Sequence, residues 1–213
     1  MLHQWNYQGR TFIEATVVSK ELETLLGQVK TRQLSDKVNI LFLSRIEVPK
    51  GIYESVQAFK LVQKSIDLPA SLVIAGDGSE LDKLKEYIRQ ENIQDVSFCG
   101  FVSGEAKAEV LKDADIYLLP SYSEGMPISV LEAMLAGMAV VTRSTGGLVD
   151  FFTNSMGRIT DSKDPEVIAD LLINIISNPG TLSEISAFNR RYAKDNFTVD
   201  PFIRRLEAIY TLI

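Results

Sequence analysis

Short apolar segments alternate with helical segments along this 213-residue chain from about residue 37 onward. The apolar segments are short, rich in β-branched residues and almost continuously hydrophobic, which is typical of strands covered on both faces. We therefore predict strands over residues 38–43, 71–76, 95–100, 115–120 and 138–142. This alternation predicts an α/β fold with a doubly wound, mostly parallel sheet, in which ligands bind at the carboxyl ends of the strands.

Capping residues indicate where the helices between these strands begin and end. Two capping boxes are predicted, one starting at Ser79 and the other at Thr181. A third helix is predicted to have Pro127 at its first position and to end before Gly137. Asp164 is the predicted cap of a fourth. After residue 160 the pattern is helical only.

The start of the chain does not continue the alternation. Residues 11–18 are a candidate edge strand, and residues 19–31 are a candidate helix. We interpret residues 1–36 as a lead-in from an upstream region and residues 37–213 as the folded domain.

The last helical segment has apolar residues on one stripe, which predicts packing against the core. The stripe consists of Phe202, Leu206, Ile209 and Ile213.

Composition excludes several classes of function. The net charge of −6 argues against nucleic-acid binding, which needs a basic surface. Cys99 and His3 are the only residues of their types, so the chain has no internal disulfide, no histidine-based triad and no His/Cys metal cage. No apolar run is long enough to span a bilayer, and the N-terminus lacks the layout of a signal peptide. We expect a cytoplasmic protein.

Two carboxylates, Glu124 and Glu132, flank the predicted start of the helix near Pro127. The free amide groups at a helix N-terminus suit a phosphate. Carboxylates repel phosphate but accept hydrogen bonds from hydroxyl groups. The arrangement predicts a ligand with sugar hydroxyls at both ends and phosphate between them, which is the layout of a nucleotide sugar.

Positive charge follows the first predicted strand, where Arg45 and Lys50 lie in a loop at the same edge of the sheet. Together they are suited to neutralise a departing diphosphate. The alternative is that both are solvated surface charges. Two glycine-containing turns, residues 75–81 and 143–150, are open to two interpretations, ligand contact or tight turns.

The segment PSYSEGMPISVLEAMLAGMAVVTRSTGG, residues 120–147, resembles the E-x7-E region of the retaining glycosyltransferases of group 1 (family 4), which have the GT-B fold. The resemblance extends through LFLSRIEVPKG, LVIAGDGSEL, VSFCGFV and DPEVIADLLINIISNP, and covers about residues 37–212. It implies the Rossmann-like, donor-binding half of a GT-B enzyme with C-terminal helices, and therefore a missing N-terminal acceptor domain. In that family the last helix packs back against the first domain, so the resemblance implies that the stripe of Phe202, Leu206, Ile209 and Ile213 is partly exposed here. Ser44, Ala139 and Asp150 depart from the usual family residues.

The resemblance also implies roles for single residues. Glu124 would contact hydroxyls of the donor sugar, Glu132 would bind the ribose, and Arg45 and Lys50 would bind the diphosphate. Arg45, Lys50 and Glu124 are thus the candidate catalytic residues. The other donor-binding candidates are Gly125, Met126, Pro127 and Ile128 in the turn, Leu131 beside the nucleoside, and Val102 at the base.

The activity implied by the resemblance is transfer of a hexosyl group, with retention of configuration, from a nucleoside-diphosphate sugar to a glycan or glycolipid acceptor. We expect no metal or other cofactor, because cationic side chains take the metal's place. Polysaccharide biosynthesis is the implied setting, and peripheral association of the full enzyme with the inner face of a membrane is compatible with it. On its own, the fragment is expected to be inactive. The alternatives are a non-catalytic nucleotide-sugar-binding module and a GT-B sugar epimerase, although an epimerase needs acid/base side chains and the domain has no histidine to offer.

Overall fold

The computed structural model describes residues 16–27, 29, 32 and 36–211. Within these residues, six strands form one sheet, and all pairs of neighbouring strands are parallel. The strands are Val38–Leu43 (β1), Ala70–Ala75 (β2), Val96–Gly100 (β3), Ile116–Leu119 (β4), Ala139–Arg143 (β5) and Gly157–Thr160 (β6).

Eight α-helices in the described part of the chain surround this sheet. They are Lys20–Leu25 (α1), Ile52–Ser65 (α2), Leu81–Gln90 (α3), Gly104–Asp113 (α4), Ile128–Leu135 (α5), Pro165–Ile176 (α6), Pro179–Asn196 (α7) and Val199–Tyr210 (α8). The helices pack in pairs, α2 on α6, α5 on α7 and α1 on α4.

The order of the strands across the sheet is β3-β2-β1-β4-β5-β6. The chain builds outward from β1 in one direction and then returns to build outward from β4 in the other. The predicted doubly wound, Rossmann-like fold is therefore confirmed. In such a sheet the crevice for a ligand opens outside the carboxyl ends of the two central strands, here β1 and β4.

The five predicted strands are confirmed, each to within one residue at either end. The sixth strand, β6, was not predicted. It has only four residues, GRIT, and lies at the edge of the sheet, so it carries no continuous apolar run. Pairing with β5, from Val140↔Gly157 to Arg143↔Thr160, is what makes this segment a strand.

Helix starts were predicted less well than strands. The Asp164 cap is confirmed, because its side chain accepts a hydrogen bond from the Glu166 amide. The capping box at Ser79 is wrong, since α3 begins at Leu81 without a side-chain cap. The one at Thr181 is also wrong, because α7 already begins at position 179. Helix α5 begins one residue later than predicted, at Ile128, and ends as predicted before Gly137.

The described part of the lead-in joins the core of the domain. Residues 11–15 lie outside the described part of the chain, and residues 16–18 are not in a strand. The candidate helix is shorter than predicted and forms α1, capped by Ser19. Val18, Leu22 and Leu26 are buried in the same hydrophobic core as the central strands.

At the other end, the predicted packing of the last stripe into the core is wrong. No residue of α8 is buried, and Phe202, Leu206 and Ile209 are only half-buried. Ile213 lies outside the described residues. Among the helices that the structure describes, none combines the length and apolarity needed to cross a bilayer.

The two central strands separate just before the ligand edge of the sheet. Strand β1 pairs with β4 only at Ile40↔Ile116 and Leu41↔Tyr117. Beyond these pairs the fully buried Tyr117 bridges the gap, with its hydroxyl oxygen 2.9 Å from the Leu43 backbone oxygen and 2.7 Å from Ser129 Oγ. A hydroxyl has one proton, so donating to Leu43 leaves it accepting from Ser129. Burial raises the pKa of Tyr117 above its usual range, so it stays neutral.

We expect Tyr117→Phe to lower the free energy of unfolding by about 1–3 kcal/mol, because it leaves a buried carbonyl without its donor. Urea unfolding followed by circular dichroism measures the change. Tyr87→Phe is the matched control, because the Tyr87 hydroxyl contacts only partly buried Gln57 at 3.1 Å. Equal losses in both variants would contradict the bridging role of Tyr117.

Candidate functional site

A pocket of about 420 Å³ lies at the carboxyl edge of the sheet, at the crevice outside the ends of β1 and β4. The loops after β1, β2 and β3 and the first turns of α5 line it. Four of the predicted site residues are among its walls, namely Arg45, Val102, Ile128 and Glu132. A smaller pocket of about 210 Å³ adjoins it and shares Val102 and Glu132.

Helix α1 forms the outer wall of the smaller pocket, through Ser19, Glu21, Leu22 and Leu25. The opposite wall is the loop between β3 and α4, where Phe101 is 80% exposed. The lead-in segment therefore contributes directly to the site, which its sequence did not indicate.

Glu132 is the most deeply buried ionisable residue of these pockets, with 5% of its surface exposed. Its Oε1 atom accepts a hydrogen bond from Lys107 Nζ at 2.6 Å. Its Oε2 atom is buried and has no hydrogen-bond partner among the described residues. Burial raises the pKa of Glu132, and the bond from Lys107 offsets only part of that effect. A buried carboxylate oxygen without a donor is costly, and a ligand hydroxyl would remove the cost.

The other glutamate of the predicted pair, Glu124, is bound by a different lysine. Lys50 Nζ donates to Glu124 Oε1 at 2.8 Å, and the two side chains are only 16% and 12% exposed. The loop after β1 and the loop after β4 thus meet in a partly buried ion pair. The sequence analysis assigned Lys50 to phosphate and Glu124 to sugar, and the structure brings the two together.

Arg45 is the most exposed of the three cations. Its side chain is 67% exposed and pairs with Glu47 at 2.9 Å, within the same loop. Arg45 also lines the larger pocket. Arg45, Lys50 and Lys107 therefore each have a carboxylate partner.

Close backbone approach holds the loop that carries Glu124. A Cβ atom on Gly51, where φ is +72°, would lie 2.4 Å from the Pro120 oxygen. One on Gly146, where φ is +55°, would lie 2.2 Å from the Glu124 oxygen. The Gly147 amide donates to the Gly125 oxygen at 2.6 Å. The glycine pair in the loop after β5 therefore supports the Glu124 loop.

Tyr122 anchors the same loop from its other side. Its amide donates to the Pro49 oxygen at 2.8 Å, and its hydroxyl bonds to Glu54. The Lys163 ammonium lies 3.7 Å from the centre of its ring. Contacts from several elements therefore fix the loop between β4 and α5 before any ligand binds.

The remaining predicted positions differ in their surroundings. Gly125 is exposed and Met126 is half-buried, beside the Gly146–Gly147 loop. Pro127 is the buried N-cap residue of α5. Leu131 is fully buried in the core and lines neither pocket.

The sequence analysis missed Lys107 and Tyr117. Lys107 lies in a helix predicted only as a connection, and nothing in its spacing links it to Glu132. Tyr117 reads as one apolar residue of a buried strand, DIYLLP. One signal was present, since a tyrosine inside a continuous apolar strand needs a partner for its hydroxyl. Among the described residues, no group of three or more His, Cys, Asp or Glu side chains is placed to hold a metal.

Comparison with known proteins identifies the family. The sequence profile described as "Glycosyl transferases group 1" matches residues 28–192. The chain belongs to the group 1 glycosyltransferases. An uncharacterized glycosyltransferase of Methanocaldococcus jannaschii is 30% identical over 179 residues, which are 83% of this chain and 45% of the relative. The 2-deoxystreptamine N-acetyl-D-glucosaminyltransferase of Niallia circulans is 32% identical over 77% of this chain and 42% of the relative.

Solved structures of glycosyltransferases share the Rossmann-like fold of this group 1 chain, which is the fold of GT-B C-terminal domains. The C-terminal domain of the Francisella tularensis group 1 protein LpcC matches with a TM-score of 0.69 and 22% identity, over 76% of this chain and 87% of that domain. Anabaena HepE, in complex with UDP and glucose, matches with a TM-score of 0.70 and 19% identity, over 93% of this chain and 54% of HepE. The chain spans less than half the length of the two curated relatives, as 45% and 42% coverage show.

We expect Gly146→Ala to lower the free energy of unfolding by about 1–3 kcal/mol, because a side chain there is strained and meets the Glu124 backbone. Thermal or urea unfolding measures the change. Gly180→Ala is the control, because no atom lies within 4 Å of the added Cβ. If the free energy of unfolding of Gly146→Ala equals that of the wild type, the loop can move to accept the side chain, and the predicted strain is contradicted.

Glu132→Gln is expected to stabilise the ligand-free protein more at pH 7 than at pH 4. Burial raises the pKa of Glu132 in the folded state. The stability that protonated Glu132 contributes to the folded wild type is therefore fully present below the pKa of the unfolded state. It is lost as pH rises through the folded-state pKa, and the neutral glutamine does not share this loss. The measurement is the difference in unfolding free energy between Glu132→Gln and the wild type across this range. A difference that does not change with pH would contradict the expectation.

Proposed function

We propose that this chain is the donor-binding domain of a retaining GT-B glycosyltransferase, which transfers a hexosyl group from a nucleoside-diphosphate sugar to a glycan or glycolipid acceptor. The observation that carries the proposal is the pairing of cations with carboxylates at the crevice between β1 and β4. Lys50 pairs with Glu124 and Lys107 pairs with Glu132. A ligand with a diphosphate between two groups of hydroxyls can take Lys50 from Glu124 and can donate to the free Oε2 atom of Glu132.

The nucleoside end of the donor binds at Glu132. Its buried carboxylate has one oxygen without a donor, and ribose hydroxyls supply donors. The base lies toward the backbone at Val102, between the β3–α4 loop and α1, which together line the smaller pocket. Leu131 acts from the core behind Glu132, by fixing the helix rather than by touching the ligand.

The diphosphate binds at the start of α5, where the first amides of a helix have no intrahelical partner. Gly125, Met126, Pro127 and Ile128 form the turn that delivers these amides. Lys50 and Arg45 add positive charge and stabilise the departing diphosphate. Because these groups fill the role of a cation, the reaction needs no metal.

The donor sugar binds at Glu124. In the free protein Glu124 is held by Lys50 at 2.8 Å. When the diphosphate takes Lys50, the Glu124 carboxylate becomes free to accept hydrogen bonds from sugar hydroxyls. Diphosphate and sugar are thereby recognised through the two ends of one ion pair. This exchange fixes the bond between the anomeric carbon and the diphosphate oxygen, which breaks when the acceptor hydroxyl bonds to that carbon.

The relatives support this assignment. HepE, which shares the fold, is in complex with UDP and glucose. The matched part of the chain spans 45% and 42% of the two curated relatives named above, and we infer that the rest of the parent protein includes an acceptor domain. In this proposal, residues 37–213 form the nucleotide-sugar-binding domain, and residues 1–36 lead in from the acceptor domain and contribute α1. The isolated chain then binds the donor without transferring it, which is the binding-module alternative.

Calorimetric titration with UDP, GDP and ADP in the presence of EDTA tests the proposal. We expect one nucleotide to bind, with affinity reduced about tenfold or more in Glu132→Ala, because a charge-assisted hydrogen bond is lost. Arg45→Ala is expected to reduce affinity less, because the side chain is 67% exposed. Arg89→Ala is the control, because Arg89 pairs with Glu86 on the surface of α3.

Binding that requires Mg²⁺ would contradict the metal-independent mechanism. Equal binding by the wild type and Glu132→Ala would contradict the placement of the ribose. The absence of binding by all three nucleotides would overturn the proposal for this chain.

A further inference from the structure

Lys107 occupies a position that the helix electrostatics do not favour. It lies in the first turn of α4, which begins at Gly104. The N-terminus of a helix carries partial positive charge, so a cation there is destabilising and an anion is favoured. Glu105 in the same turn has the favourable sign of charge, whereas Lys107 has the unfavourable one. The location of Lys107 is therefore explained by what its ammonium group contacts.

That contact is the carboxylate of Glu132, on a different helix and 25 residues away. The Lys107 side chain is 26% exposed, whereas that of Glu132 is 7% exposed. A carboxylate this deeply buried needs a cation to remain ionised. Lys107 is partly solvated, whereas Glu132 is almost fully buried. The ion pair therefore matters more for the charge of Glu132 than for that of Lys107.

We propose that Lys107 is a positioning residue for donor binding: its ammonium group keeps Glu132 ionised and oriented, so that the carboxylate can accept hydroxyls of the nucleoside sugar. The inference rests on the proposed function and adds to it a residue outside the E-x7-E spacing. Lys107 occupies Oε1 of Glu132 and leaves Oε2 without a protein donor. Oε1 of Glu132 is therefore already hydrogen-bonded to Lys107, and Oε2 is available to accept a hydrogen bond from the ligand.

The charged and titratable groups around Glu132 come from several elements. The walls of the two pockets that contain Glu132 carry Glu21 from α1, Arg45 after β1, Asp77 after β2 and Lys107 from α4, and buried Tyr117 of β4 lies behind them. Of these, only Lys107 has a direct bond to Glu132 among the described contacts. Burial raises the pKa of Glu132, and the bond and the charge of Lys107 act against that effect.

The first test measures Glu132 itself and needs no ligand. The Glu132 carboxyl signal is followed by carbon-13 NMR against pH in the wild type, Lys107→Met and Lys107→Arg, and is assigned by its loss in Glu132→Gln. Lys107→Met should move the titration midpoint to higher pH, and Lys107→Arg should restore most of the wild-type midpoint. Lys60→Met is the matched control, because Lys60 is 29% exposed and pairs with Glu91 at 2.7 Å on the surface. An unmoved midpoint in Lys107→Met would overturn the proposal.

The second test asks whether Lys107 acts through the ribose. Titrations use UDP, GDP and ADP and the 2′,3′-dideoxy analogue of whichever binds. In Lys107→Met the parent nucleotide should bind about tenfold or more weakly at pH values well below the Glu132 titration midpoint measured in that variant, and should recover above the midpoint, where Glu132 ionises without Lys107. The dideoxy analogue should bind the variant and the wild type equally, because it offers no hydroxyl to Glu132.

Other outcomes separate the rival roles. An equal loss for both ligands at every pH would mean that Lys107 contacts the diphosphate directly, and would overturn the positioning role. A loss in Lys107→Met that persists in the Glu132→Gln background would do the same. Failure of the proposed function appears separately, since the wild type would then bind no nucleotide while the Glu132 titration would still respond to Lys107.

Discussion

The site depends on the separation of the two central strands and on the buried hydroxyl that spans it. Strands β1 and β4 stop pairing after Leu41 and Tyr117, and beyond that point the Tyr117 hydroxyl links Leu43 to Ser129. This link ties the end of β1 to the first turn of α5. Because the Tyr117 hydroxyl donates to the Leu43 carbonyl oxygen, β1 and β4 can separate without leaving that buried oxygen unpaired. The crevice follows from that opening.

Around the crevice, charge is arranged in neutral pairs. Lys50 with Glu124 and Lys107 with Glu132 join different elements, and both carboxylates are largely buried. A protein of net charge −6 does not attract an anionic ligand through its overall field. Paired cations held close to a helix N-terminus offer local attraction instead. In the second pair, Lys107 offsets part of the effect by which burial raises the pKa of Glu132.

Backbone contact gives the site its precision. Gly51 lies against Pro120 and Gly146 against Glu124, so the loops after β1, β4 and β5 touch through backbone atoms with no side chain between them. Contacts of this kind leave little freedom for the Glu124 loop. The glycine pair after β5, for which the sequence left ligand contact and turn formation both open, supports its neighbour through the Gly147 amide.

Local sequence determined the five main strands, the α/β class and the E-x7-E spacing, because continuous apolar runs and capping residues act over a few positions. The Asp164 cap is one such local signal, confirmed by its bond to Glu166. Local sequence was insufficient for β6, which becomes a strand only through pairing with β5. Local sequence also gave the wrong prediction of core packing for the apolar stripe of α8. The amphipathic pattern of a helix is the same whether or not another element covers its apolar face.

Tertiary structure alone decided which charges meet. Lys50 bonds to Glu124 across 74 positions and Lys107 to Glu132 across 25, and neither separation follows a helical or strand period. It also brought α1, from the lead-in, to the wall of the smaller pocket through Leu22. The physical reason is that strand order places distant loops at one edge of the sheet, and a charge then pairs with the neighbour that burial leaves within reach.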